Sequence, residues 1–167
     1  MAATVVLDEH ICMEGSTMIR GRHQARRVAL QALYELDMTS HAPEYALGCR
    51  LKETPLSQVG VQFAFHLVEG VRENLQQIDN VLGDLAPEWP VDQIAAVDRN
   101  ALRIAIFEML FDSDTPAKVV INEAVELAKV FGSDSAPRFV NGVLGSLVHS
   151  RRERARAVSQ KVSWQVE

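Results

Sequence analysis

The sequence predicts an all-α fold, a two-lobed helical bundle of about seven helices. Three observations carry this. Every long segment places apolar residues at three- and four-residue spacing. No Asn-Gly or Asp-Gly hairpin sits between alternating runs, and aromatics, which favour strands, are only 6% of the residues. At 167 residues and 47% hydrophobic, the chain is one domain's worth of core and needs no staples. There is no internal repeat and no low-complexity tract.

The elements follow in order. Residues 22–38 place Ala25, Val28, Ala29, Ala32, Leu33 and Leu36 on one helical face. The stretch His41–Pro55 is polar and proline-bounded, with room for a short helix around Tyr45–Lys52. Ser57 is placed to cap a single long helix whose stripe runs from Val61 to Leu85, ended by Pro87 and Pro90. A helix from Val91 to Phe111 is predicted to break near Val97, before the turn Asp112–Pro116. Ala117–Phe131 points Val120, Ile121, Ala124, Leu127 and Ala128 inward, and Gly132 follows at its C-cap position. Ser135 is placed to cap a last helix, Pro137 fits its first turn, and Phe139, Val140, Val143, Leu144 and Leu147 form its core face. Residues 1–19 lack helical periodicity and are expected to be a disordered, dispensable extension. The helical domain is expected over 20–150, with lobes of about 20–88 and 89–150, and a basic, frayed tail over 151–167.

The net charge of −5 hides an uneven distribution. Residues 1–17 are net −3, whereas 18–27 carry Arg20, Arg22, Arg26 and Arg27 with no acid. Residues 28–148 hold 8 bases against 17 acids, and 149–167 are net +3. Local basic clusters, not the total, decide where a polyanion binds. Two cysteines, Cys12 and Cys49, make no disulfide framework and no C-x-x-C, which suits a reducing, cytoplasmic setting. No apolar run approaches a membrane span, and the N-terminus has no secretory pattern.

Catalytic signatures are missing: no G-x-G-x-x-G, G-x-x-x-x-G-K-[ST], H-E-x-x-H or G-x-S-x-G. The five histidines have no metal-ligand spacing, and Asp112 and Asp114 read as a turn. The expectation is a protein that is not an enzyme and holds neither metal nor cofactor.

Two constellations remain. In Arg20–Arg27, Arg22 and Arg26 lie four apart on one face, with His23 and Arg27 on the adjacent strip. Read at a helix N-terminus, cations oppose the macrodipole, which makes sense if a phosphate chain neutralises them. An ordinary solvated basic turn fits the same spacing. In the second, Asn122 and Asn141 stand within two core-forming helices, where an amide is expected to bond a loop or the facing helix. Gly142 and Gly145 are expected to allow close helix approach. A helix-pair packing device accounts for these residues.

Four blocks then carry a resemblance. Arg-x-x-Ala-Arg-Arg-x-Ala-Leu-Gln-Ala-Leu-Tyr (Arg22–Tyr34), Asp98-Arg-Asn-Ala-Leu-Arg-Ile-Ala-Ile-Phe-Glu108, Ile121-Asn-Glu-Ala-Val-Glu-Leu-Ala-Lys129 and Arg138-Phe-Val-Asn-Gly-Val-Leu144 resemble the NusB family of transcription antitermination factors. The match covers about residues 20–148, in order. It implies an RNA-binding protein that binds the single-stranded boxA element of nascent rRNA leader RNA together with ribosomal protein S10 (NusE). With other Nus factors it would help RNA polymerase read through rRNA operons.

The resemblance also implies the sites. Arg20, Arg22, His23, Arg26 and Arg27 correspond to the family's arginine-rich RNA motif, and Phe131, Ser135 and Arg138 to a second region near the RNA. Tyr34 and Asp98 fall where the family meets S10. If all four arginines neutralise phosphates, log K should fall with log salt with a slope of about −2.8. Ser135 stands where the family often has an acid, and Met18, directly before the matching region, offers an alternative start. The family leaves self-pairing into a homodimer open. The nearest rival is the NusB-like domain that precedes the catalytic domain of an rRNA cytosine methyltransferase, but no cofactor-binding α/β pattern follows here. The more distant rival is a purely structural helical module.

Overall fold

The computed structural model describes the backbone of residues 7–112 and 114–163, and side chains within 20–156. Seven α-helices and one 3₁₀ turn make up the described residues, with no strand. The chain divides into two compact units, Met1–Arg72 and Glu73–Glu167. The division therefore falls well before the Pro87–Pro90 segment, where the sequence placed it.

The first unit contains α1 (Leu7–Met38), α2 (Pro43–Glu53) and nearly all of α3 (Gln58–Glu73). The predicted stripe of α1 is its core face: Ala25, Val28, Ala29, Ala32 and Leu33 are buried, with Leu30 beside them. Leu36 is only half-buried. Pro43 starts α2, as its fixed φ and missing N–H allow in a first turn. Ala46 and Leu47 are the residues that α2 buries. The connection between α1 and α2 is fastened by Glu35, whose carboxylate meets His41 Nδ1 at 2.7 Å and Arg50 Nη2 at 3.5 Å. Ser57 caps α3 as expected: its hydroxyl accepts the Gly60 N–H at 3.2 Å.

Helix α1 begins far earlier than the periodicity places it. Residues 7–19 of the expected extension are helical, while 1–6 lie outside the described residues. No proline interrupts this stretch, and extending an existing helix costs far less than nucleating one. The predicted single helix ending at Leu85 is instead two, because Asn74 leaves helical geometry at φ −107°, ψ 15° and α4 (Leu75–Leu85) follows it. Asn competes with helical bonds through its own side chain and suits such a junction.

The second unit is built on α5 (Ala96–Leu110), which packs against α4, α6 (Ala117–Phe131) and α7 (Ala136–Ser163). The break predicted near Val97 is present: a 3₁₀ turn, Val91–Gln93, precedes α5. Arg99 Nη1 holds this turn through the carbonyls of Val91, Asp92 and Ile94, each at 3.3 Å. Asn100 to Met109 are all buried, as expected of a helix covered on every side. Its polar members therefore need partners. Arg103 makes a two-pronged bond to Asp79, Nε to Oδ1 and Nη2 to Oδ2, both 2.8 Å, and its Nη1 donates to Asn100 Oδ1 at 3.2 Å.

Two further expectations change. Asn122 and Asn141 are exposed, not held between helices, and Ile121 is only half-buried. Gly142 and Gly145 are exposed as well, and a Cβ at either would meet nothing within 4 Å. The period placed all five near a core stripe, but the residues that α6 and α7 bury are Val120, Ala124, Leu127 and Ala128 on one and Ala136, Val140, Val143, Leu144 and Leu147 on the other. Gly132 does occupy the α6 C-cap, with extended backbone. Room is what demands glycine there: a Cβ would stand 2.6 Å from Ala136 Cβ and 2.8 Å from Asp98 Oδ1. The basic end does not fray at Ser150. Helix α7 continues, and Arg151 Nη1 donates to the Met109 carbonyl at 2.7 Å.

Candidate nucleic-acid interface

The arginine cluster lies on α1, but not at its start. Arg20 follows Leu7 by more than three turns, so the macrodipole argument does not apply there, because that field fades within the first turn. What organises the cluster is an aromatic ring from α3. The guanidinium carbons of Arg22 and Arg26 lie 4.9 and 5.2 Å from the centroid of Phe63. Arg20 is exposed, Arg22, His23 and Arg27 are half-buried, and Arg26 is only 3% exposed. Arg26 is thereby corrected from a surface contact to a buried one. Its four-residue spacing from Arg22 put both on one face, and that face turns toward Phe63.

The second region lies wholly in the other unit. Asp98, Ser135 and Arg138 line one groove of about 890 Å³, with Trp89 and Phe139 among its walls. Ser135 holds the N-cap position of α7: its carbonyl accepts the Phe139 N–H at 3.1 Å, while its hydroxyl meets that of Ser133 at 3.2 Å. Ser135 and Arg138 are exposed, and Phe131, outside this groove, is half-buried. Trp89, 56% exposed, was not singled out in the sequence, although a tryptophan between Pro87 and Pro90 in a polar stretch has little helix to hide in. Phe63 was also missed. It stands beside the α3 apolar stripe, and only the chain's three-dimensional path brings the arginines to it.

The two residues matched to S10 belong to different units. Tyr34 belongs to the first unit and is 43% exposed; Asp98 belongs to the second and is 7% exposed. Asp98 is thus a poor surface contact. Its Oδ1 is buried without a hydrogen-bond partner, and burial pushes its carboxyl above the ordinary aspartate value of 3.8. A folded-state value above the unfolded one means that the native state holds the proton more tightly. The resulting stability is full below the ordinary aspartate value and is lost as pH rises through the raised one. Asp98→Asn should therefore change the melting temperature relative to wild type more favourably at neutral pH than at acid pH. A melting-temperature difference independent of pH would show that Asp98 does not titrate this way.

Among the described residues, no group of three or more His, Cys, Asp or Glu could hold a metal, and no helix is long and apolar enough to cross a membrane.

Comparison with known proteins matches this architecture. The NusB family model spans residues 23–149. The transcription antitermination protein NusB of Roseiflexus castenholzii is 50% identical over 137 residues, covering 81% of this chain and 96% of that protein. The corresponding protein of Dehalococcoides mccartyi strain 195 is 43% identical over 139 residues, covering 83% and 97%. Among solved structures, NusB of T. maritima is 34% identical with a TM-score of 0.69, covering 74% of this chain and 87% of that one. NusB in a crystal structure of antitermination factors NusB and NusE in complex with dsRNA is 26% identical with a TM-score of 0.72, covering 78% and 98%. A family model spanning most of the chain, and relatives at half identity over nearly their full length, establish that the chain belongs to the NusB family.

Proposed function

We propose that this protein is an RNA-binding transcription antitermination factor that engages boxA-type single-stranded leader RNA together with ribosomal protein S10. In this reading it acts with other Nus factors on RNA polymerase to carry rRNA operons past early termination. The role is binding and not catalysis. The observation that carries it is the arginine cluster of α1, in which Arg20, Arg22 and Arg27 keep exposed or half-exposed side chains, set on a chain that is net acidic elsewhere. Family membership supports it, as does the structural relative solved with NusE and dsRNA.

Arginine suits both halves of the task. Its planar fork bonds phosphate oxygens in pairs, and its face stacks on unstacked bases. Ser135 and Arg138, a hydroxyl and a cation at the start of α7, are a second proposed RNA contact, in the other unit. The acidic body disfavours non-specific nucleic acid and complements a basic ribosomal protein. Tyr34 is the proposed S10 anchor, since an exposed tyrosine joins apolar area to a hydroxyl.

Fluorescence anisotropy with labelled boxA-type RNA, with and without S10, tests the reading. Tighter binding in the presence of S10 is expected, and no RNA binding in either case would refute it. Tyr34→Ala should weaken S10 binding by about 1–2 kcal/mol with the helical CD spectrum unchanged. Unaltered affinity would place the S10 surface elsewhere. Asp98→Lys is not an equivalent test, because it would put an ammonium where a buried carboxyl stands.

A further inference from the structure

We propose that Phe63 is the positioning residue of the RNA-contacting arginines, a ring that sets the direction of Arg22 while Arg26 is packed beneath the surface. The inference rests on the RNA-contact reading of the α1 cluster and names a residue outside it.

The geometry is specific. Phe63 comes from α3, and both guanidinium carbons lie within about 5 Å of its centroid. That is inside the 6 Å range over which a cation is attracted to the negative face of an aromatic ring. Two like charges on one ring are then no more than about 10 Å apart, roughly a Debye length at 0.1 M salt, so they repel one another. The ring quadrupole offsets part of that repulsion, and a phosphate offsets more. A guanidinium lying over a ring uses its face there and keeps its N–H edge for an oxygen acceptor.

Arg22 and Arg26 have different surroundings on the same ring. Arg22 is half-buried and Arg26 is buried, so only Arg22 is placed to reach a ligand from this platform. Without the ring, Arg22 would sample more rotamers and lose more entropy on binding RNA. With it, part of that ordering is complete before RNA arrives.

The test measures affinity for labelled boxA-type RNA, in the presence of S10, across a salt series. Phe63→Leu should weaken binding about three- to fivefold, while Phe63→Tyr, which keeps the ring, should stay within twofold of wild type. The salt slope should barely change for Phe63→Leu, because the charge is still present. Arg22→Ala should reduce the slope magnitude by about 0.7. In the Arg22→Ala background, Phe63→Leu should have no further effect on RNA affinity, which a merely structural role would not predict. Should Phe63→Leu fail to fold, pentafluorophenylalanine at position 63 keeps the ring's shape and reverses its quadrupole, and the same weakening is expected. Binding within twofold of wild type for the leucine or fluorinated variant, alongside weakened binding by Arg22→Ala, overturns the proposal. If Arg22→Ala also leaves affinity unchanged, the RNA-contact reading of Arg22 falls instead.

Discussion

Asp79→Ala is expected to destabilise the protein by about 3–5 kcal/mol, the range for removing one partner of a buried ion pair. The cost arises because Arg103, its side chain 8% exposed, would keep its charge inside the second unit without the carboxylate that now meets it at 2.8 Å. Arg103→Met should cost less. Asp79 is 23% exposed, so water can solvate it once the arginine is gone, and methionine fills most of the vacated volume. The asymmetry is what makes the prediction specific. Urea unfolding followed by CD should rank the stabilities wild type, Arg103→Met, Asp79→Ala. Equal losses in the two variants would mean that the pair behaves as a surface bridge, worth about 0–1 kcal/mol.

Arg22→Ala combined with Arg27→Ala is expected to weaken RNA binding about tenfold at 0.15 M salt and to reduce the salt slope by about 1.4, taking roughly 0.7 per phosphate contact. With Arg26 buried, the slope expected from the cluster falls from about −2.8 to about −2.1, three contacts in place of four. Arg26→Ala should separate from these variants. Its side chain packs over Phe63 at 5.2 Å, so its removal should destabilise the protein by an amount ordinary for a lost buried side chain, about 1–3 kcal/mol. Little slope change should accompany that loss. A slope reduction by Arg26→Ala equal to that of Arg27→Ala, at unchanged stability, would mean that Arg26 reaches the RNA.

Arg26 and Arg27 are adjacent residues whose fates diverge, and the divergence marks how far the sequence could be read. Periodicity was enough for the helical class, for the buried face of α1 and for the core of α6 and α7. Local chemistry was enough for the Ser57 cap, for Pro137 in the first turn of α7, and for glycine after Phe131. Four ordered blocks were enough for the family. Each of these depends on residues close together in the chain, or on a pattern that survives without knowing what packs against it.

The tertiary structure decided the rest. A period of 3.6 says which residues share a face; it does not say what covers that face or how far the cover extends. Arg26 and Arg27 are neighbours in sequence, yet one is buried and one half-buried, because Phe63 arrives from α3 on one side only. Asn122 and Asn141 looked like amides trapped in a core and are exposed, because each points away from the buried stripe of its helix. The break at Asn74 divides what periodicity joined, since a single residue leaving helical ψ does not disturb the spacing of apolar residues on either side. Arg103 has Leu102 and Ile104 as its chain neighbours, and its partner Asp79 lies 24 residues away on α4. Local spacing therefore determined the helices and the family of this protein. Which of its charges are available to RNA, and which hold the fold, was decided by side chains brought from distant helices, because burial belongs to the assembled packing and not to any one helix.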